Sequence, residues 1–345
     1  MGVARAGSSS QARVNRRFRE KLFAAAAPLI GRCSFPEPGE PLACAVSGGA
    51  DSLALIALAV AADCAAVAHH VDHGLREGSE RDVVVVRKAA RALGVEVVVH
   101  RVSLEVGPNL EARARDARFG TLPTSVATGH TADDQAETML LNLLRGASTD
   151  GLGAMRPGRR HPILGLRRAE THGVCSALGL VPVTDPTNTD TAYLRNRVRH
   201  ELVPMLCELA GRDLVPILAR QARLLAEDAA LLGELAAEVD PTDAKRLTRA
   251  PLPLGRRAVR EWLRDGHPPD LATVERVLSV AAGGALAADI GAGRRVRRSR
   301  GNLRMETPGE PLGDLGTQVP PKAAHSGEPP GTCASPGTTE LAENH

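Results

Sequence analysis

No two of the six cysteines (Cys33, Cys44, Cys64, Cys175, Cys207 and Cys333) stand at a C-x-x-C spacing. That excludes the usual zinc, iron–sulfur and thioredoxin-type sites and leaves them as small core residues of a reducing compartment. Long apolar runs are also missing: none approaches the ~20 residues of a membrane helix. Arg13, Arg16, Arg17 and Arg19 precede no signal-peptide core, and Glu20 with the apolar run at 23–30 reads as a first helix rather than a transit peptide. A cytoplasmic protein that does not enter a membrane is expected. The formal net charge is only +3, so a nucleic-acid partner has to be sought in clusters. Three exist: Arg156, Arg159, Arg160, Arg167 and Arg168; then Arg195, Arg197 and Arg199; then Arg294, Arg295, Arg297, Arg298 and Arg300. Each run alone suits a solvated face, but three together favour a polyanion. No internal repeat is visible.

What is present starts with residues 42–62. An apolar strand-like run at 42–46 enters Ser47-Gly48-Gly49-Ala50-Asp51-Ser52 and leaves as an apolar helical run at 53–62. Two glycines permit close backbone approach, and the free amides of a helix start with the Ser47 and Ser52 hydroxyls suit phosphate oxygens. No Gly-Lys-Ser/Thr follows, so this is not a Walker loop.

Helical and strand-like runs then alternate at the period of a parallel α/β sheet. The spacing predicts strands at 65–70, 95–99 and 125–128, with helices at 13–30, 80–93 and 109–119. A further helix should open at 129–138 and run through Leu144, with Thr131 as N-cap and Asp134 three residues on. Residues 146–160 are too rich in glycine for a helix, 162–166 suit an edge strand, and 171–178 a short helix. Ligands of such sheets sit at the carboxyl ends of strands. Residues 47–52, 70–76 and 130–137 should therefore share one cleft. Beyond, 212–240 repeats apolar positions at three and four, two more helices fit 251–263 and 271–280, and 287–306 reads as an antiparallel meander. From 307 the chain is Pro- and Gly-rich without aromatics, the composition of a disordered tail. The expected fold class is α/β, a Rossmann-like parallel sheet followed by a smaller, mainly helical domain. Its parts are a leader helix and linker at 1–40, a catalytic domain at 41–208, a helical domain at 209–306 and a tail at 307–345.

The ordered motifs at 47–52, His70-Val71-Asp72-His73-Gly74-Leu75-Arg76, Ala114-Arg115 with Arg118-Phe119, 129–138 and 185–199 resemble the tRNA(Ile)-lysidine synthetases, within the N-type ATP pyrophosphatases. The resemblance runs from about Ala43 to Leu206. It implies an adenine nucleotide alpha hydrolase-like sheet and the ligation of lysine to the wobble cytidine of tRNA(Ile) with a CAU anticodon. ATP would first adenylate the cytidine. The partners implied are that tRNA, L-lysine, ATP and Mg²⁺, and a homodimer stays open. Ser47, Gly48, Gly49, Ala50, Asp51 and Ser52 are then expected on ATP, with His70, His73 and Arg195 beside the nucleotide. Asp51 is either a Mg²⁺ ligand or an anchor of the loop, and a plain helix-dipole acid would look the same. Asp134 and Glu137, at i and i+3, share a helix face, and in the family the corresponding acids bind lysine, with Asp133 facing a metal. First-turn acids favoured by the dipole are the bland alternative. Arg115 resembles a family arginine near the reacting centre, and Arg118, Arg145, Arg197, Arg199, Arg295 and Arg298 are the residues expected on tRNA. His70, Asp72 and His73 follow the second strand, and a zinc site from the two histidines is not expected, since no cysteine or third ligand is suitably spaced.

Two other readings compete. A related tRNA thiolase shares the loop but relies on paired cysteines, and a nucleotide- or tRNA-binding protein would have no use for the acids at 133–137.

Overall fold

Strand β1 (Pro41–Ala45) carries the fold, because the chain on each side of it packs back onto it. The computed structural model describes residues 6–72, 79–102, 120–184 and 190–307. Helix α1 (Ala6–Ile30) precedes the strand and buries Leu22, Ala26 and Leu29, one face at helical spacing. Helix α2 (Ala50–Ala61) follows, with every residue from Leu53 to Ala59 fully buried. A helix apolar all round belongs in a core. Next come β2 (Ala65–Asp72), α3 (Ser79–Leu93) and β3 (Glu96–Arg101). The three strands pair in parallel in the order β1–β2–β3, with Cys44 opposite Ala68 and His70 opposite Val99.

On the free side of β1 lies not the expected strand at 125–128 but one bridging residue. Ala127 donates to Ala43 O at 2.7 Å and accepts from Ala45 N–H at 2.8 Å. The neighbouring amides are spent elsewhere, Val126 N–H on Pro123 O and Thr128 N–H on Arg160 O, so the ladder stops after one residue. The edge strand at 162–166 is likewise replaced by turns, in which Leu164 N–H returns to His161 O and Leu166 N–H to Ile163 O. The helix expected at 109–119 lies outside the described residues, as does the tail from 308.

Helix α4 (Ala132–Leu144) opens one step beyond the bridge. Asp134 Oδ2 accepts both the backbone N–H (2.9 Å) and the hydroxyl (2.8 Å) of Thr131, as the sequence indicated. The glycine-rich stretch that follows is not wholly irregular: α5 (Thr149–Leu152) forms one turn. Its Gly151 sits where a Cβ would come within 2.6 Å of Ala147 Cβ, and its carbonyl accepts from Asn142 Nδ2 at 2.7 Å. Glycine here lets the turn close rather than preventing it. Then come α6 (Arg168–Leu178), α7 (Leu194–Arg197), a π-helical turn (Val198–Leu202) and α8 (Val203–Ala210). The long α9 (Val215–Ala237) buries Val215, Ala222, Ala226, Ala229 and Ala236. A Cβ on Gly153 would meet Ala226 Cα at 2.9 Å, so α9 lies directly on the chain after α5.

All of this belongs to one compact unit, Met1–Asp240 with Ala250–Ala258. A second comprises Pro241–Arg249 and Val259–His345. Within it α10 (Ala244–Arg249) and α12 (Leu271–Ala282) pack with the antiparallel meander β4 (Ala287–Gly291), β5 (Arg294–Ser299) and β6 (Asn302–Glu306) around Leu247, Val274, Val277, Val296 and Leu303. Helix α11 (Leu252–Trp262) spans the division in sequence. The meander is the one expected at 287–306. The described cysteines are free thiols, and burial pushes Cys44 up to about 12 and Cys33 and Cys175 up to about 11, the behaviour of inert core residues.

Candidate active site

The turn at 47–52 joins β1 to α2 as the alternation of runs requires. Gly48 has φ +96°, a left-handed conformation that favours glycine, and a Cβ there would press on Val183 Cγ2 at 3.1 Å. Gly49 is the N-cap of α2, and the first helical bond is Leu53 N–H to Gly49 O. The amides of residues 50–52 therefore precede the helical ladder. Ser52 Oγ donates to Gly49 O at 2.8 Å and lies 3.3 Å from the exposed Ser47 Oγ. His70 is 4% exposed and donates through Nδ1 to Val46 O at 2.8 Å, so it props the strand end from below.

A Cβ at Gly129 would stand 2.7 Å from Asp51 O, so only glycine lets the chain entering α4 lie on the first turn of α2. This contact sets the acids of α4 beside the loop. Asp134 and Glu137 are 6% and 2% exposed. Three guanidinium groups meet them. Arg168 Nη2 is 3.0 Å from Asp134 Oδ1 and 3.1 Å from Glu137 Oε1, and Arg195 reaches Asp134 Oδ1 at 3.0 Å and Glu137 Oε2 at 3.2 Å. Arg199 grips Glu137 through Nε at 2.7 Å and Nη2 at 3.0 Å. Asp133 has its own partner: Arg167 binds it in a fork at 3.0 and 3.1 Å and reaches on to Asp213, while the Arg168 backbone N–H donates to it at 2.8 Å. Asp51 accepts from the Thr171 hydroxyl and lies 3.7 Å from Arg168 Nε.

The two classes of acid are tuned apart. Burial raises Asp51, abetted by the neighbouring Asp134 charge, and the Thr171 and Arg168 contacts do not offset it. Burial also pushes on Asp134, but Arg168, the Thr131 amide and Arg195 outweigh it and hold that carboxyl below its ordinary value. Asp133 follows the same pattern, with burial overcome by its bonds to Arg167 and the Arg168 amide. Arg168 is itself raised, its burial outweighed by Asp134, Glu137 and Asp51. A buried carboxylate with charge-assisted partners stays ionised.

Of the other expected residues, His73, Arg115 and Arg118 lie outside the described residues. Arg145 caps the end of α4 and is exposed. Arg197 is exposed and pairs with Glu201 at 3.3 Å, whereas Arg199, two residues on, faces the acids. In the second unit Arg295 pairs with Glu306 at 2.6 Å, and Arg298 donates to Ala281 O at the end of α12. Sequence reasoning missed Arg167, Arg168, Thr171 and Asp213 as site residues. One signal was available: adjacent arginines at a helix start oppose the helix dipole and need acids elsewhere to hold them.

Among described residues no group of three or more His, Cys, Asp or Glu could hold a metal. Asp51, partly exposed beside the loop amides, suits a Mg²⁺ that takes most of its ligands from phosphate and water, since such ions need only one or two protein carboxylates.

The model of the PP-loop domain matches residues 16–206 of the chain. Over 246 residues the chain is 43% identical to a tRNA(Ile)-lysidine synthase of Nocardia farcinica, covering 67% of this chain and 77% of that one. Over 313 residues it is 40% identical to a tRNA(Ile)-lysidine synthase of Salinispora tropica, covering 79% and 92%. Among solved structures, the U34-tRNA thiolase of Methanococcus maripaludis with its [4Fe-4S] cluster superposes with a TM-score of 0.48 at 17% identity, over 62% of this chain and 80% of that one.

Proposed function

This chain belongs to the PP-loop family and, within it, to the tRNA(Ile)-lysidine synthases, and on that premise we propose how its residues act. It forms lysidine on tRNA(Ile), using ATP. The reaction meets a chemical obstacle, since the C2 oxygen of cytosine is a poor leaving group. In the first step that oxygen bonds to the α-phosphorus of ATP as the bond to pyrophosphate breaks. In the second the lysine side-chain amine attacks C2, AMP leaves with the oxygen, and the amine gives up a proton.

The observation that carries this reading is the contact of α4 with the first turn of α2. It puts two buried acids next to a phosphate-sized helix start. The amides and hydroxyls of Ser47, Gly48, Gly49, Ala50 and Ser52 hold the β- and γ-phosphates. Mg²⁺ bound through Asp51 would neutralise phosphate charge. Asp134 and Glu137 take the lysine ammonium. Asp134, held below the ordinary carboxylate range, serves as a charge partner rather than as a proton acceptor. Arg195 and Arg199, bonded to Asp134 and Glu137, hold those carboxylates in place beside the reacting groups. Exposed Arg145 and Arg197 of the first unit, and separately exposed Arg295 within the tRNA-contacting residues 209–306, meet the tRNA backbone. The enzyme works in the cytoplasm, where its tRNA substrate is. Among the described residues no helix is long and apolar enough to cross a membrane.

The test is incubation of the full chain with a tRNA(Ile) transcript bearing CAU, Mg-ATP and labelled lysine. Label should enter the tRNA with one AMP and one pyrophosphate per lysine, and a transcript with uridine at the wobble position should take none. Unlabelled cytidine-bearing tRNA at saturating lysine would overturn the reading.

A further inference from the structure

Every carboxylate oxygen of the acids assigned to lysine already has a partner. A lysine ammonium brings three donors and needs oxygens to receive them. Asp134 Oδ2 is taken by Thr131, and Oδ1 by Arg168 and Arg195, each at 3.0 Å. Glu137 Oε1 is taken by Arg168 and Arg199, and Oε2 by Arg195 and Arg199. Two negative charges already face three positive ones. A fourth cation can enter only if a guanidinium leaves.

Arg168 is the arginine with a second place to go. It alone of the three also lies against Asp51, in the first turn of the phosphate-loop helix, at 3.7 Å. Its backbone is fixed, because its N–H is bonded to Asp133 and its carbonyl accepts the Thr171 hydroxyl, so a swing would involve the side chain only. The same hydroxyl lies against Asp51, so its one proton is shared between the Arg168 carbonyl and the Asp51 carboxylate at the loop. A triphosphate in that loop presents oxygens that match a guanidinium fork at least as well as a carboxylate does. The exchange leaves Arg168 paired throughout.

We propose that Arg168 is a catalytic residue with two positions: it covers Asp134 and Glu137 in the free protein, and it moves to the α-phosphate when ATP fills the loop, so that the lysine site opens only after nucleotide has bound. The proposal rests on the function inferred above. It also gives an order to the reaction, since lysine is admitted only where there is a nucleotide to activate the base.

Equilibrium dialysis of the full chain against labelled lysine tests it, alone and with α,β-methylene-ATP and Mg²⁺. Lysine should bind at least about tenfold more tightly with the analogue. In Arg168→Gln lysine affinity should no longer depend on the analogue. Pyrophosphate release from ATP and tRNA without lysine should fall on the order of 100-fold, mainly in kcat. Arg168→Lys keeps the charge without the fork and guards against a glutamine variant that does not fold. It should keep the nucleotide dependence but release pyrophosphate about tenfold more slowly. Wild-type lysine affinity indifferent to the analogue, or wild-type pyrophosphate release in either variant, overturns the proposal. A wild-type chain that forms lysidine yet binds lysine without nucleotide sinks this inference alone; one that forms no lysidine sinks the functional reading beneath it.

Discussion

Glu137 is 2% exposed and accepts from three guanidinium groups, those of Arg168, Arg195 and Arg199. Its i, i+3 relation to Asp134 on the helix face was legible from the spacing. The three arginines around it were not, because they come from positions 31, 58 and 62 residues away. Glu137→Ala removes the charge they face. The remaining cations are partly hydrated, with 22–37% side-chain exposure, so the stability lost should be about 1–3 kcal/mol rather than the full cost of a buried broken pair. The KM for lysine should rise on the order of tenfold or more, while pyrophosphate release with tRNA alone falls less. Urea unfolding and a lysine titration check both. An unchanged lysine KM would remove Glu137 from the lysine site.

At the scale of elements, α1 to α4, α6, α9, α11, α12 and β1 to β3 were readable because each runs at one period for long enough to show it. The helical turns at 194–210 and 244–249 were not read from the spacing. The short pieces depart from their sequence pattern where side chains and turns decide the backbone. Residues 125–128 and 162–166 have strand-like composition, yet their amides are consumed by turns and by Arg160 O. There the Thr128 hydroxyl joins His130 Nδ1 at 2.7 Å and His161 Nδ1 at 2.9 Å, pinning the loop to the start of α4. Burial, with His130 and Arg160 adding to it, drops His161 to about 4. A folded-state pKa below the unfolded value gives stability that is complete above the unfolded pKa of about 6.5 and is lost as pH falls toward the folded one. Unfolding free energy should therefore decline between about pH 6.5 and about pH 4, ahead of the carboxylate-driven loss expected from Asp133 and Asp134 at lower pH. His161→Gln should flatten that first decline in urea melts at stepped pH. A slope unaltered by the substitution would assign it to other groups.

For the whole molecule, clustered arginine mattered more than the net charge of +3, but the clusters do not act alike. Arg167, Arg168, Arg195 and Arg199 turn inward to acids, whereas Arg145 and Arg197 are exposed. Arg298 caps a helix, and Arg295 lies on the exposed face of the meander. Arg145→Ala with Arg295→Ala should weaken tRNA binding and lower the slope of log affinity against log salt by about 1 for each of the two side chains that neutralises a phosphate. Filter binding over a salt series measures this, and an unchanged slope would place both arginines off the tRNA.

By itself the sequence determined the glycine turn at 47–52, the alternation that makes a parallel sheet and the acids at the start of α4, since these are local patterns of spacing, capping and small residues. Only the tertiary structure decided which arginines those acids would meet. Ion pairs between distant segments follow from where helices pack, and that is set by close approaches such as Gly129 on Asp51 and Gly153 on Ala226, which no local pattern encodes.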